Sequence, residues 1–251
     1  MAGGHAHALY RHGDSGVHRF PAHLKIVVVF AFVVAVVLTS REQVWAFGVY
    51  VAIVVMVMAV ARLGARFVAL RLLVLVPFVL AAATLPFLEG PPRIGPGLSI
   101  EGLWDAWNIL AKGMLGTMAS VLLAATTEAP DIVGGLERLR VPRVVTGIMA
   151  FMIRYIEVVA DELARNRIAM RSRGYVPRGL ASVGALGRSI GSLFVRSFER
   201  GERVYLAMVS RGYQGSVPPG PAAEVTPTVV GWTLMGLAGV WTITATAMIV
   251  S

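Results

Sequence analysis

Long apolar runs separated by short polar breaks set the pattern of this chain. They cover residues 24–38 (LKIVVVFAFVVAVVL), 44–61, 67–88, 103–127 and 229–250. A helix rising 1.5 Å per residue needs about 20 apolar residues to cross about 30 Å of hydrocarbon. The runs therefore predict five transmembrane helices, the first being the shortest. Lys25 stands at the start of the first, and Arg71 is close enough to the start of the third to snorkel. Lys112 lies part-way into the fourth, where it should snorkel, meet lipid phosphate or pack against a polar neighbour such as Asn108. Proline and glycine make 89–97 (EGPPRIGPG) a loop.

Between 128 and 228 the pattern changes. Fourteen arginines face nine acidic residues there, and the apolar runs are too interrupted to span. GLERLRVPRV predicts a short helix that Pro142 stops or restarts. Residues 144–173 read as one long helix, apolar and then amphipathic, with Ile156, Val159, Leu163 and Met170 near one face. Gly174 and Pro177 end it. A third helix covers about 182–211. Ile190, Phe194, Phe198, Gly201, Tyr205 and Met208 form an apolar stripe on it, with Arg196, Arg200 and Arg203 on another face. Gly212, Pro218 and Pro219 end it.

These two helices close on nearly the same phrase, AMRSRGY at 169–175 and AMVSRGY at 207–213, an offset of 38. Glycine suits a left-handed capping position and arginine complements the helix dipole. Capping so stated accounts for Arg and Gly one at a time but not for the shared neighbours, which points to a duplicated contact element.

Composition agrees with a membrane protein. The chain is 56% hydrophobic and only 15% charged, against about 25% charged in soluble domains. The net charge is +9, almost wholly arginine, since Lys25 and Lys112 are the only lysines. A cytoplasmic N-terminus puts Arg11, Arg19, Lys25, Arg62, Arg66 and Arg71 inside, leaving Arg41 and Arg93 against Glu42, Glu89 and Glu101 outside. The expected organisation is a cytoplasmic segment 1–23, four spans within 24–127, a cytoplasmic module 128–228 and a last span within 229–251. The fold class is all-α integral membrane protein.

Much chemistry is missing. Without cysteine there is no disulfide, thiolate site or thiol nucleophile. No P-loop, H-E-x-x-H or G-x-S-x-G motif occurs, so nothing predicts ATP binding or catalysis by this chain. His5, His7, His12, His18 and His23 crowd the first 23 residues, yet only Asp14 is at hand as a carboxylate. A solvated polar tail is favoured over a metal site. The residues leave open a scaffold, a basic membrane anchor and a membrane-embedded lipid enzyme, the last lacking an aspartate cluster.

Taken together, DSGVHRFPAHLKIVVV, TTEAPDIVGGLERLRVPRV, RYIEVVADELARNRIAMRSRG and AMVSRG resemble the transmembrane T component of energy-coupling factor (ECF) transporters, in its cobalt-type CbiQ branch. The resemblance spans nearly the whole chain. It implies a non-catalytic cell-membrane scaffold joining two cytoplasmic ABC-type ATPases, which bind the ATP, to a substrate-binding S component. That component would be CbiM-like, with room for a small accessory membrane subunit. Cobalt is the first substrate implied, then nickel or a vitamin; no cofactor, metal or nucleic acid is implied for this chain. The coupling residues carried over are Ser172, Arg173, Gly174, Ser210, Arg211 and Gly212. Met170, Arg171, Met208, Arg196, Arg200 and Arg203 support them on the coupling helices. Serine stands where the family often has alanine, and both are small. The basic stripe is expected to face ATPase carboxylates or anionic lipid.

Overall fold

The computed structural model describes residues 10–11, 13, 15–88, 93–94, 98–175, 183–213 and 227–250. They are nearly all helical: α1 (Gly16–Arg19), α2 (Ala22–Leu38), α3 (Val44–Val60), α4 (Ala65–Leu72), α5 (Val76–Leu88), α6 (Ile100–Thr126), α7 (Ala129–Arg138), α8 (Arg143–Ser172), α9 (Val183–Val209) and α10 (Pro227–Val250). A two-residue antiparallel ladder pairs β1 (Arg93–Ile94), inside the predicted loop, with β2 (Leu98–Ser99), just after it. The described residues form two compact units, one drawn from 9–135 with 222–251 and the other from 136–221.

The first unit contains the apolar helices. Ala65–Phe87 and Ile100–Thr126 are long and apolar enough to cross a membrane. At 17 residues each, α2 and α3 are shorter than the expected span, about 26 Å of helix apiece. Phe78, Leu80 and Phe87 on α5 stand exposed. Water would penalise such a surface, whereas lipid suits it. The third predicted run is two helices joined by a 3₁₀ turn at Leu73–Leu75. Pro77 follows that turn. It has no N–H for the Leu73 carbonyl and its ring crowds that carbonyl, so the helix tightens there.

The core of this unit joins α2, α3, α6 and α10 around Phe32, Tyr50, Leu115, Met118 and Ala247. Polar side chains link the helices where apolar packing alone specifies little. The buried Tyr50 hydroxyl lies 3.2 Å from Thr39 Oγ1 and 2.9 Å from Thr244 Oγ1, reaching α10 and the end of α2. Gln43 donates to the Ala247 carbonyl. Arg41 pairs with Asp105 near the start of α6.

Both lysines reach the C-terminal end of a neighbouring helix. Lys112 Nζ donates to the Val37 carbonyl at 2.9 Å, in the last turn of α2, rather than to Asn108. A helix end leaves such carbonyls unpaired and carries partial negative charge, so the cation satisfies both. Lys25 is only 7% exposed. Its Nζ donates to the Thr126 carbonyl at 2.8 Å, Thr127 Oγ1 at 3.1 Å and the His18 carbonyl at 3.3 Å. It thereby closes the C-terminus of α6.

Two glycines let backbones meet. A Cβ on Gly102 would lie 2.6 Å from the Leu85 carbonyl oxygen and 2.8 Å from Pro86 Cα. One on Gly135 of α7 would lie 2.9 Å from the His23 backbone nitrogen of α2.

Candidate functional site

In the second unit, α8 starts at Arg143 with Pro142 as its N-cap. Proline restarts the helix there because its fixed φ suits a first turn that needs no N–H donor. The α8 and α9 helices then end in the two copies of the repeated phrase.

Their closures match bond for bond. At the end of α8, Gly174 N–H donates to the Arg171 carbonyl and Tyr175 N–H to the Met170 carbonyl, each at 3.0 Å. At the end of α9, Gly212 N–H donates to Val209 and Tyr213 N–H to Met208, again each at 3.0 Å. Both are Schellman closures with glycine in the left-handed region, at φ +76° and +85°. Ser172 and Ser210 turn their hydroxyls back to the Ala169 and Ala207 carbonyls, at 3.0 and 2.9 Å. Tyr175 and Tyr213 are half-buried, as are Met170 and Met208. They occupy the two positions that make the apolar contact of this motif.

Capping therefore accounts for more of the phrase than expected. Met, Ser, Gly and Tyr all have capping positions, and the expectation that capping leaves the shared neighbours unexplained is corrected. What capping leaves over is the arginine. Arg173 and Arg211 are exposed, and among the described residues neither guanidinium makes a hydrogen bond or ion pair.

The glycines are needed for φ, not for space, since a Cβ on either would meet nothing within 4 Å. Two further closures carry arginine at the same left-handed position, Arg62 after α3 at φ 53° and Arg140 after α7 at φ 64°. An L-residue there costs roughly 1–2 kcal/mol. Gly174→Ala should thus lower stability by about 1 kcal/mol, while Arg140→Gly should leave it unchanged or raise it slightly. Thermal unfolding of the two purified variants checks the opposite signs; equal losses would discount the capping account.

The basic stripe on α9 is spent mostly inside the unit. Glu162 of α8 is only 8% exposed at its side chain, with Arg196 Nε 3.3 Å from Oε1 and Arg200 Nη2 3.1 Å from Oε2. Arg196 also donates to the Ser192 carbonyl at 3.2 Å and reaches Asn166 Oδ1 at 3.5 Å. Arg203 pairs with Glu199 on its own helix, at 3.9 Å. So Arg196 and Arg200 clasp α9 to α8. Arg171 is exposed beside the first cap. The α9 stripe of Ile190, Phe194, Phe198 and Tyr205 is exposed.

Comparison with known proteins settles the family. The family described as cobalt transport protein CbiQ matches residues 13–220. The chain belongs to the CbiQ family. Its relatives include the cobalt transport protein CbiQ of Rhodobacter capsulatus, 30% identical over 72% of this chain and 76% of the relative. The energy-coupling factor transporter transmembrane protein EcfT of Bacillus selenitireducens is 30% identical over 82% of each chain. An uncharacterized protein of Methanocaldococcus jannaschii is 31% identical over 49% of this chain, and the match spans only 43% of that relative.

Glu162 is the residue that sequence reading missed in this CbiQ-family chain. A signal for it existed. The offset of 38 that relates Arg173 to Arg211 also relates Glu162 to Arg200. Equivalent positions of the two repeated helices carry opposite charge and meet. Of the histidines, His18 ties Ser15 Oγ at 2.7 Å to the Arg11 carbonyl at 3.0 Å. Nε2–H donates to that carbonyl, which leaves Nδ1 to accept from the serine. His5, His7 and His12 lie outside the described residues, as do Pro177, Pro218 and Pro219.

Proposed function

We propose that this chain is the T component of an ECF-type importer for cobalt ion. It is a non-catalytic scaffold that couples two cytoplasmic ATPase subunits to a CbiM-like substrate-binding membrane protein. The observation that carries this reading is the arginine at each of two matching caps that pairs with none of the described residues. Each cap holds its backbone rigid and leaves open space beside a glycine. A partner backbone can therefore come close to a planar, permanently charged donor fork. Two copies suit two similar partners. The family description and the names of the relatives support cobalt and energy coupling. The arginine bias supports an N-terminus on the cytoplasmic side of the cell membrane.

A docked arginine of this kind contributes about 2 kcal/mol or more, about thirtyfold in affinity. Arg173→Glu combined with Arg211→Glu should therefore abolish co-purification of the cognate ATPase subunits and end cobalt uptake. Each single variant should weaken capture without abolishing it, because two linked contacts hold more strongly than one. A double variant that still held both ATPase copies and transported normally would sink the proposal.

A further inference from the structure

Four arginines gather at one edge of the membrane unit, and their arrangement points to a ligand. Arg62 closes α3, Arg66 opens α4, and Arg71 runs back along α4 to put its Cζ 3.4 Å from the centre of the Phe67 ring. Its Nη1 donates to the Phe67 carbonyl at 3.3 Å. The fourth arrives from far away in sequence. Arg11 is pinned by its backbone, its N–H donating to the Ala125 carbonyl at 3.0 Å and its carbonyl accepting from His18 Nε2 at 3.0 Å. Its guanidinium is thereby delivered to the same ring, with Cζ 5.1 Å from the centroid. Nη1 of Arg11 also lies over the α3–α4 turn, 3.5 Å from where a Cβ on Gly64 would stand.

Two cations on one aromatic ring attract the ring and repel each other. Arg11, Arg62 and Arg66 make no ion pair with any described residue. An anion between them turns the repulsion into attraction, and guanidinium forks match phosphate oxygens.

The neighbouring surface specifies what kind of anion. On the face of the helix below Arg66, at steps of four, seven and eight residues, stand Leu70, Leu73 and Val74, all more than half exposed. A phosphate on the arginines would sit directly above an exposed hydrocarbon-facing stripe. We propose that Arg11, Arg62, Arg66 and Arg71 bind the headgroup phosphate of one anionic phospholipid, of the phosphatidylglycerol–cardiolipin class, with its acyl chains along Leu70, Leu73 and Val74. Basic pockets at the ends of membrane helices recognise lipid headgroups in this way.

The test uses the full chain in phosphatidylcholine nanodiscs or mild detergent, with native mass spectrometry and thermal unfolding as readouts. Wild type should retain one anionic phospholipid through delipidation. Added phosphatidylglycerol should raise its unfolding temperature, and added phosphatidylcholine should not. Arg11→Gln with Arg66→Gln should reduce retention at least tenfold. Arg11→Lys with Arg66→Lys, which keeps the charge, should retain part of it and guards against simple misfolding of the first pair. Arg188→Gln removes one exposed charge from α9 and should leave lipid retention unchanged. Equal retention by the glutamine pair and wild type would overturn the proposal. So would equal retention of phosphatidylcholine, or stabilisation by inorganic phosphate as large as by phosphatidylglycerol. ATPase capture, read on the same samples, reports separately on the coupling role.

Discussion

Gly102→Ala should lower the unfolding temperature of the detergent-purified protein by roughly 5–10 °C, the equivalent of about 2–3 kcal/mol. The new Cβ would stand 2.6 Å from the Leu85 carbonyl oxygen and 2.9 Å from its carbon, and 2.8 Å from Pro86 Cα. All three are backbone atoms, so no side chain can rotate away. Relief requires α5 and α6 to separate. Ser99 holds the start of α6 by accepting from the Gly102 N–H at 3.3 Å. The displaced turn would therefore strain its own cap as well. Gly116→Ala is the natural control. It lies on the same helix, where a Cβ meets nothing within 4 Å, so alanine should be neutral or stabilising by its helix propensity. If the two variants melted alike, the close approach of α5 and α6 would be refuted.

Glu162→Ala should loosen α8 from α9 while leaving the membrane unit intact. Removing one partner of a buried ion pair usually costs about 3–5 kcal/mol. The arginines here are 49% and 34% exposed at their side chains. Water will rescue them in part, so about 2 kcal/mol is the reasonable scale. Hydrogen exchange should quicken along α8 and α9 and stay unchanged in α2 and α6. Glu162→Gln keeps the volume and two hydrogen-bonding groups and should fall between. A double-mutant cycle with Arg200→Ala isolates the pair. Strict additivity would mean that the clasp contributes nothing.

The apolar runs made the membrane helices legible because lipid demands length and apolarity within one continuous segment. Both repeated helices also end where glycine said they would, a property of local φ. What stayed hidden was long-range. Lys112 meets Val37 and Lys25 meets Thr126 across large gaps in sequence. A lone lysine near a span end looks the same whether it snorkels or caps a neighbour. The 3₁₀ turn was hidden for a different reason. Pro77 sits inside an otherwise unbroken apolar run, and composition alone does not register a missing N–H. At the site, the apolar half of the Schellman closure does not show in the sequence, so Met170 and Met208 read there as supports for the coupling motif. The periodicity of Arg196 and Arg200 was correct, but periodicity does not say which charge lies opposite.

The clasp between Glu162 and Arg200 also has a metric consequence. Arg173 lies eleven residues beyond Glu162, and Arg211 eleven beyond Arg200. Each arginine thus stands at the tip of a helical arm roughly 16 Å long, both measured from one fulcrum. Equal arms make an isosceles linkage. Any change in the angle between α8 and α9 about this clasp would therefore act on two arms of the same length. A single inserted residue in either arm would lengthen it by about 1.5 Å and swing its tip about 100° around the helix axis. The spacing of the repeat is therefore a tolerance as well as a signature.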